Sequence, residues 1–194
     1  MKKIIFATHN QKKVTEVKAV FSGINIISLS ELNYTQEIEE TEDTFSGNAL
    51  LKARQVFDIF NSPVFADDSG LTVDVLNGAP GVRSARYAGE DKNHQKNNDK
   101  LLEALYGKTI RNAQFRTVIA FKNAETEMLF EGIVEGTIAL KSSGLGGFGY
   151  DPLFIPKGYD DTFAALPKHI KLALSHRSIA IQKLHAFLNP TTKC

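Results

Sequence analysis

The chain has 194 residues, with 23 Lys or Arg and 22 Asp or Glu, so its formal net charge is +1 when the histidines are neutral. A protein that binds duplex nucleic acid usually carries a basic excess that displaces counterions, and this composition argues against such a partner. With 42% hydrophobic and 23% charged residues, the composition is typical of a globular domain. We therefore expect one domain over residues 1–194 and no nucleic-acid partner.

Signals for disulfides, secretion and membrane insertion are weak. The single cysteine, Cys194, has no second cysteine to pair with inside the chain. The apolar stretch after Lys2 and Lys3 is interrupted by His9 and Asn10, which is too early for a signal peptide. No stretch approaches the roughly 20 apolar residues of a membrane-spanning helix. These features predict a soluble, cytoplasmic protein without a membrane partner.

The beginning of the chain predicts a β-α-β unit. Apolar runs at residues 4–7 and 24–29 predict two strands, and the helix between them is capped by Asn10 and ended by Gly23. Two strands joined in this way form a parallel pair with a right-handed crossover.

A second helix and a third strand are predicted next. Thr44 is a suitable cap for a helix whose apolar residues recur at helical spacing. Residues 63–66 predict a strand that ends at Asp67-Asp68-Ser69-Gly70, and residues 77–90 predict a long loop.

The rest of the chain predicts a polar helix at residues 91–106, a β-hairpin and a final helix. The hairpin consists of residues 115–121 and 128–140, with its turn at residues 123–126. Ser175 is a suitable cap for the last helix. The whole pattern predicts the mixed α/β class.

The glycine-rich segment from Gly144 to Gly149 has the spacing of a dinucleotide-binding fingerprint. That motif requires a helix directly after the turn, so that the pyrophosphate meets the helix N-terminus. Here Tyr150-Asp151-Pro152 and an extended run follow instead. The context therefore argues against a dinucleotide site.

Thr8-His9-Asn10-Gln11-Lys12-Lys13 lies between the first strand and the first helix. Loops at this edge of an α/β sheet carry ligands, and free helix N-terminal amides favour anions. A hydroxyl, a carboxamide and two ammonium groups suit a phosphate. The alternative is an ordinary helix cap with exposed lysines.

The pair Asp67-Asp68 suits Mg²⁺, a hard ion that binds oxygen ligands and keeps several waters. A carboxylate from the acidic run at residues 37–43 can complete such a site beside a triphosphate. The alternatives are a simple turn at Gly70 and a solvated acidic loop.

The segment Ser175-His176-Arg177 offers an imidazole and a guanidinium as donors to a phosphate or to an acceptor edge of a base. Adjacent Ser and His residues cannot easily act as nucleophile and base on each other, which argues against hydrolase chemistry of that kind.

Taken together, these blocks resemble the inosine triphosphatase family of noncanonical purine nucleoside triphosphate pyrophosphatases, of the bacterial dITP/XTP type. The blocks that carry the resemblance are Thr8-His9-Asn10 with Lys13, Glu40 before Thr44-Phe45, Asn48 to Ala53, Ala66 to Leu71, Gly78 to Val82, Ser84 to Ala88, Gly146 to Pro152, and Ser175-His176-Arg177. The resemblance implies an elongated, twisted mixed sheet flanked by helices, with two lobes and a central cleft, in a homodimer. The implied reaction converts a purine nucleoside triphosphate and water to the monophosphate and pyrophosphate, with Mg²⁺ as cofactor.

The resemblance also implies the site residues. Glu40 and Asp68 are the implied Mg²⁺ ligands, and Asp68 is the implied base that activates water. The implied triphosphate site consists of Thr8, His9, Asn10, Gln11, Lys12, Lys13 and Lys52, with Ser69 as a nearby substrate contact. The implied base pocket consists of Phe148, Gly149, Tyr150, Asp151, Lys171, His176 and Arg177.

The chain departs from the family pattern near this pocket. Ala165 stands where a glutamate is common, and Leu172 stands where an asparagine is common. Lys168 is therefore an alternative to Lys171 as the pocket lysine.

Two other functions remain open from the sequence. A Maf-like pyrophosphatase would prefer UTP or dTTP to ITP and XTP. A nucleotide sensor would bind triphosphate without turnover, but a pure binder does not need the water-activating carboxylate that Asp68 offers.

Overall fold

A computed structural model describes residues 3–21 and 23–189. The strands within these residues are β1 (Lys3–Phe6), β2 (Asn25–Ser28), β3 (Val64–Val73), β4 (Asn112–Lys122), β5 (Glu127–Ile138) and β6 (Phe154–Pro156). The α-helices are α1 (Gln11–Val20), α2 (Phe45–Phe60), α3 (His94–Ala104), α4 (Lys168–Leu174) and α5 (His176–Leu188). None of the helices in these ranges has the length and apolar character needed to cross a membrane.

The strands form one mixed sheet in the order β2-β1-β3-β4-β5-β6. Strand β1 is parallel to β2, with Ile4 opposite Ile26, and it is also parallel to β3, with Phe6 opposite Phe65. Strand β6 is antiparallel to β5. The predicted α/β class, the mixed sheet and the first parallel pair are therefore confirmed.

The described residues divide into two compact units. Unit 1 comprises residues 3–68, 117–132 and 177–189 apart from position 22, and unit 2 comprises residues 69–116 and 133–176. Strands β3, β4 and β5 each contribute residues to both units. That the whole chain forms one functional domain stays a prediction.

Each unit has its own apolar core. In unit 1, the rings of Phe6 and Phe65 stack with centroids 4.5 Å apart, and α5 adds Ile181 and Leu184 to the same cluster. Burial of a large apolar side chain contributes about 1.5–3 kcal/mol to folding, so these few side chains hold α5 firmly against its unit.

In unit 2, three aromatic rings form the centre of the core. The centroids of Phe115 and Phe154 lie 4.6 Å apart, and those of Phe154 and Phe163 lie 5.2 Å apart. All three residues are buried. This cluster supports the segments that carry the glycine-rich loop.

The prediction that the third strand ends at Asp67-Asp68-Ser69-Gly70 is wrong, because β3 continues to Val73. Leu71 and Val73 are fully buried, and the Leu71 backbone amide donates to Ser84 Oγ at 2.9 Å. The two aspartates therefore lie inside the strand, where their carboxylates have tertiary partners.

Smaller corrections concern elements beyond β3. The predicted loop at residues 77–90 contains the 3₁₀ helix Gly81–Arg86, and the predicted helix at residues 91–106 is shorter, with Asn93 as its cap. Helix α4 was not predicted, since Pro167 obscures the pattern just before it. The caps at Asn10 and Thr44 are confirmed.

Candidate active site

The turn before α1 is held by side chains of the predicted phosphate segment. Asn10 Oδ1 accepts hydrogen bonds from the backbone amides of Lys12 and Lys13, at 3.0 and 3.3 Å. Thr8 Oγ1 accepts the Asn10 amide at 3.2 Å. Because the helix starts at Gln11, Lys13 lies in its first turn, where its side chain meets β3.

Asp67 on β3 is the centre of a buried cluster of charges. Lys13 Nζ lies 3.0 Å from Asp67 Oδ1 and 2.9 Å from Oδ2. Arg177 Nε lies 3.4 Å from Asp67 Oδ2, and Arg177 Nη1 lies 2.8 Å from Glu16 Oε2. Asp67 is 2% exposed and Arg177 is 4% exposed. The cluster therefore links α1, β3 and the start of α5.

The protonation states in this cluster depend on one another. Burial alone would raise the pKa of Asp67, but the charges of Lys13, Arg177 and Lys52 outweigh it and hold that pKa well below its usual range. Burial lowers the pKa of Lys13, and the nearby Arg177 and Lys52 add to this effect against the attraction of Asp67. Asp67 therefore stays ionised, and Lys13 lies in an environment where an additional anion stabilises its charge.

Helix α2 brings Lys52 to the same place. Lys52 Nζ lies 2.5 Å from Glu40 Oε1 and 2.6 Å from the Asp67 carbonyl oxygen. The Lys52 side chain is 9% exposed, while that of Glu40 is 27% exposed. Lys52 thus joins the acidic loop to β3, and one face of Glu40 remains open to solvent.

One turn before Lys52, Asn48 connects the other aspartate to the acidic loop. Asn48 Nδ2 donates to Asp68 Oδ2 at 3.1 Å, and Asn48 Oδ1 accepts the Glu42 backbone amide at 2.9 Å. Burial raises the pKa of Asp68 to about 6, opposed by the charge of Lys52 and assisted by that of Glu40. Glu40 and Asp68 are therefore close enough for each charge to affect the other.

In unit 2, the glycine-rich loop is folded around the Asp151 carboxylate. Asp151 Oδ2 accepts the Phe148 backbone amide and Lys171 Nζ, each at 2.6 Å. Lys171 Nζ also lies 5.1 Å from the centroid of the Phe148 ring. Gly147 has a φ of +79°, and a Cβ there would collide with the Asp151 carboxylate. The loop thus needs glycine at 147, and Asp151 fixes the backbone amide of Phe148.

Two further residues of the predicted base pocket are anchored in the core of unit 2. The His176 ring stacks on Phe115, with centroids 4.8 Å apart and planes 9° apart. Tyr150 Oη donates to the Ser84 carbonyl at 2.8 Å, and burial raises the pKa of this phenol. Tyr150 therefore secures the loop from inside, and His176 has a fixed ring orientation.

Comparison with known proteins identifies the family. The model of the Ham1 family matches residues 4–187. This chain belongs to the Ham1 family.

It is 46% identical over 190 residues to the dITP/XTP pyrophosphatase of Flavobacterium johnsoniae, covering 97% of this chain and 99% of that protein. It is 48% identical over 193 residues to the dITP/XTP pyrophosphatase of Bacillus subtilis, covering 97% and 98%. The Ham1 protein of Staphylococcus aureus superposes with a TM-score of 0.91 at 45% identity, covering 96% of this chain and 98% of that one. The resemblance inferred from the motifs is confirmed.

In this Ham1 family member, several of the predicted triphosphate residues lie together. Lys13 and Lys52 converge on Asp67, while Gln11 and Lys12 are exposed in the first turn of α1. His9 Nε2 lies 3.1 Å from the Gln36 carbonyl oxygen, so the imidazole contacts the segment that leads to the acidic loop. Their contacts with a substrate stay predictions.

The predicted base-pocket residues are placed in two different ways. Phe148, Asp151 and Lys171 contact one another directly, and Lys168 is exposed. Arg177 instead binds the carboxylates of Asp67 and Glu16 in unit 1. Ser69 is half-buried and follows Asp68 directly in β3.

The sequence analysis assigns no role to Asn48 or Glu16 and treats Asp67 only as one member of a possible Mg²⁺ pair, although each of the three orients a predicted site residue. Asn48 and Lys52 had a detectable signal. They are polar residues one turn apart on the buried face of α2, among the apolar positions Ala49 and Ala53. Polar groups at buried positions usually have partners, so this spacing points to a site. Glu16 had no such signal.

The side chains present fit a Mg²⁺ ion. Glu40 and Asp68 supply carboxylate oxygens, the donors that Mg²⁺ prefers. The negative charge of Glu40 is near enough to contribute to the raised pKa of Asp68. Among residues 3–21 and 23–189, no group of three or more His, Cys, Asp or Glu forms a complete metal cage. Mg²⁺ is commonly held by one or two carboxylates together with substrate phosphates, and this donor set matches that pattern.

Proposed function

We propose that this Ham1 family member hydrolyses noncanonical purine nucleoside triphosphates, ITP, dITP, XTP and dXTP, to the monophosphate and pyrophosphate. Its relatives in Flavobacterium johnsoniae and Bacillus subtilis carry the name dITP/XTP pyrophosphatase. The observation that carries the proposal is the buried arrangement of Lys13 and Lys52 beside two aspartates of β3. Such a site combines cations that bind a triphosphate with a carboxylate that activates water.

Lys13 and Lys52 bind the triphosphate in this proposal. Both ammonium groups are largely buried, and burial is the main cause of the lowered pKa of Lys13, to which the charges of Arg177 and Lys52 add. The oxygens of a triphosphate stabilise both charges. Positive charge around a transferring phosphoryl group also stabilises the transition state, so these lysines serve binding and rate together.

Asp68 takes a proton from the attacking water. The water oxygen bonds to the α-phosphorus, the bond from the α-phosphorus to the bridging oxygen breaks, and pyrophosphate leaves with that oxygen. The water proton passes to the Asp68 carboxylate, which Asn48 holds through its amide at 3.1 Å. Glu40 and Asp68 are the proposed Mg²⁺ ligands, and Mg²⁺ when bound neutralises phosphate charge and acidifies coordinated water.

Residues of unit 2 bind the purine in this proposal. Phe148 offers a ring face for stacking, and Lys171 and His176 are nitrogen donors. Hypoxanthine and xanthine carry an oxygen acceptor at position 6, where adenine carries an amino donor. Donors in the pocket therefore favour the oxopurines, and adenine leaves polar groups unpaired. The contact between Lys171 and Asp151 favours Lys171 over the exposed Lys168 as the pocket lysine.

The homodimer and the cytoplasmic location belong to the same proposal. A cytoplasmic enzyme meets the nucleotide pool, where deaminated purine nucleotides arise. Both are expectations from the family resemblance.

The proposed activity is tested with a panel of ITP, XTP, GTP, ATP and UTP, each with and without Mg²⁺. We expect pyrophosphate from ITP and XTP only when Mg²⁺ is present, with a kcat/KM for ITP on the order of 10⁴ times that for ATP. Separate assays for pyrophosphate and orthophosphate identify the phosphorus attacked. Orthophosphate release would contradict attack at the α-phosphorus, and a preference for UTP would indicate the Maf-like alternative.

Replacement of Lys52 by Ala tests the triphosphate site. Because one charge-assisted contact is lost, KM for ITP should rise about tenfold or more, with a smaller change in kcat. Lys18→Ala is the matched control, since Lys18 is also paired with a glutamate, Glu31, at 2.7 Å on the exposed side of α1. An unchanged KM in the Lys52 variant would contradict its assigned role.

A further inference from the structure

Two adjacent asparagines of α3 are buried but differ in their hydrogen bonds. Asn97 is 2% exposed and Asn98 is 3% exposed. Both ends of the Asn97 amide have partners, because Oδ1 accepts the Ala88 amide at 2.7 Å and Nδ2 donates to the Ala85 carbonyl at 2.9 Å. Asn97 thus stabilises the segment before α3 by pairing with two of its backbone groups.

Asn98 has a different pattern. Its Nδ2 donates to the Gly149 carbonyl at 3.2 Å, while its Oδ1 is buried and finds no hydrogen-bond partner among the described residues. An unpaired buried amide oxygen disfavours the folded state, and an apolar side chain of the same shape avoids that penalty. The asparagine at this position is therefore not explained by a gain in stability. Its hydrogen bond to the Gly149 carbonyl is the contact that explains it.

Gly149 directly follows the residue proposed to stack on the purine. It has a φ of +63°, in the left-handed region, so no regular strand or helix orients its peptide group. On the other side of Phe148, the backbone amide is fixed by Asp151 at 2.6 Å. On the C-terminal side of Phe148, Asn98 of α3 donates to the Gly149 carbonyl, although the two residues are 51 positions apart in the chain.

We propose that Asn98 is a positioning residue for the purine-stacking ring. It fixes the Gly149 carbonyl, and together with Asp151 it holds the backbone on both sides of Phe148. With the backbone restrained, the ring has fewer accessible positions before substrate binds, which reduces the entropy that base binding must overcome. This role rests on the proposed function, because it assumes that Phe148 stacks on the base.

Asn98→Leu tests the proposal. We expect KM for ITP to rise about fivefold, the size of one lost hydrogen bond, with kcat nearly unchanged. The inhibition constant of inorganic tripolyphosphate, which has no base, should stay the same. The melting temperature should change little, because removal of the unpaired buried oxygen offsets the lost hydrogen bond to the Gly149 carbonyl.

Asn97→Leu is the matched control, and it should lower the melting temperature because it leaves the Ala88 amide and the Ala85 carbonyl without their partner. If Asn98→Leu does not fold, Asn98→Asp keeps the shape and turns a carboxylate oxygen toward the Gly149 carbonyl, so KM for ITP should again rise.

Three results would overturn the proposal. The first is an unchanged KM for ITP in both Asn98 variants of an active enzyme. The second is an inhibition constant of tripolyphosphate that rises as much as KM for ITP. The third is a fall in melting temperature as large as that of Asn97→Leu. Either of these two results would indicate a merely structural role. A wild-type enzyme that hydrolyses neither ITP nor XTP would overturn the proposed function and, with it, the role of Asn98.

Discussion

Asp68→Asn should lower kcat for ITP by a factor of about 10²–10⁴, while the nucleotide still binds. The amide keeps the shape of the carboxylate but cannot accept the proton of the attacking water, and loss of a general base costs about this much. Lys13 and Lys52, which are proposed to bind the triphosphate, keep their contacts with Asp67 in this variant. Single-turnover pyrophosphate release measures the chemical step, and calorimetric titration with ITP measures binding.

The control for this variant is Asp58→Asn, which alters an exposed aspartate of α2 outside the cluster. It should leave kcat and KM unchanged. If the Asp68 variant keeps more than about a tenth of the wild-type kcat, Asp68 is not the base.

Asp67→Asn should lower the free energy of unfolding by about 3–5 kcal/mol, because it leaves two buried cations without their ionised partner. Lys13 and Arg177 both bind this carboxylate, and Asp67 and Arg177 are almost completely buried. For a chain of this size the expected fall in melting temperature is about 10 °C. Urea unfolding at neutral pH, followed by circular dichroism, measures the change.

An exposed ion pair serves as the comparison. Glu135 and Lys157 lie 2.9 Å apart, with side chains 57% and 78% exposed. Glu135→Gln should leave the unfolding midpoint unchanged, because solvent screens such pairs. A similar midpoint for both variants would mean that the Asp67 carboxylate does not hold the cluster together.

Local signals in the sequence predicted the local features of the fold. The caps at Asn10 and Thr44 depend on contacts within three residues, and the parallel pairing of β1 with β2 follows from their order and spacing. The sequence did not predict that β3 continues to Val73, because Asp67 to Gly70 has the composition of a turn. Long-range partners decided that segment, and no pattern along the chain indicates them.

The same limit applies to the candidate site. The motifs and the resemblance predict Lys13, Lys52 and Asp68 as site residues, but Lys13 is 54 residues and Arg177 is 110 residues from Asp67 in the chain. The ion pairs among them arise only when the strands and helices pack. The resemblance implies that Arg177 belongs to the base pocket, and this role stays a prediction, while its guanidinium contacts Asp67 and Glu16.

The amide of Asn48 has a consequence for the spacing of the two proposed metal ligands. Its nitrogen holds Asp68, and its oxygen holds the backbone of Glu42, two residues after Glu40. The loop carboxylate and the strand carboxylate are thus not adjusted independently. Asn48 restrains both segments from α2, and Lys52, one turn later, binds the Glu40 carboxylate itself, so we expect the spacing of the two carboxylates to depend on this one helix.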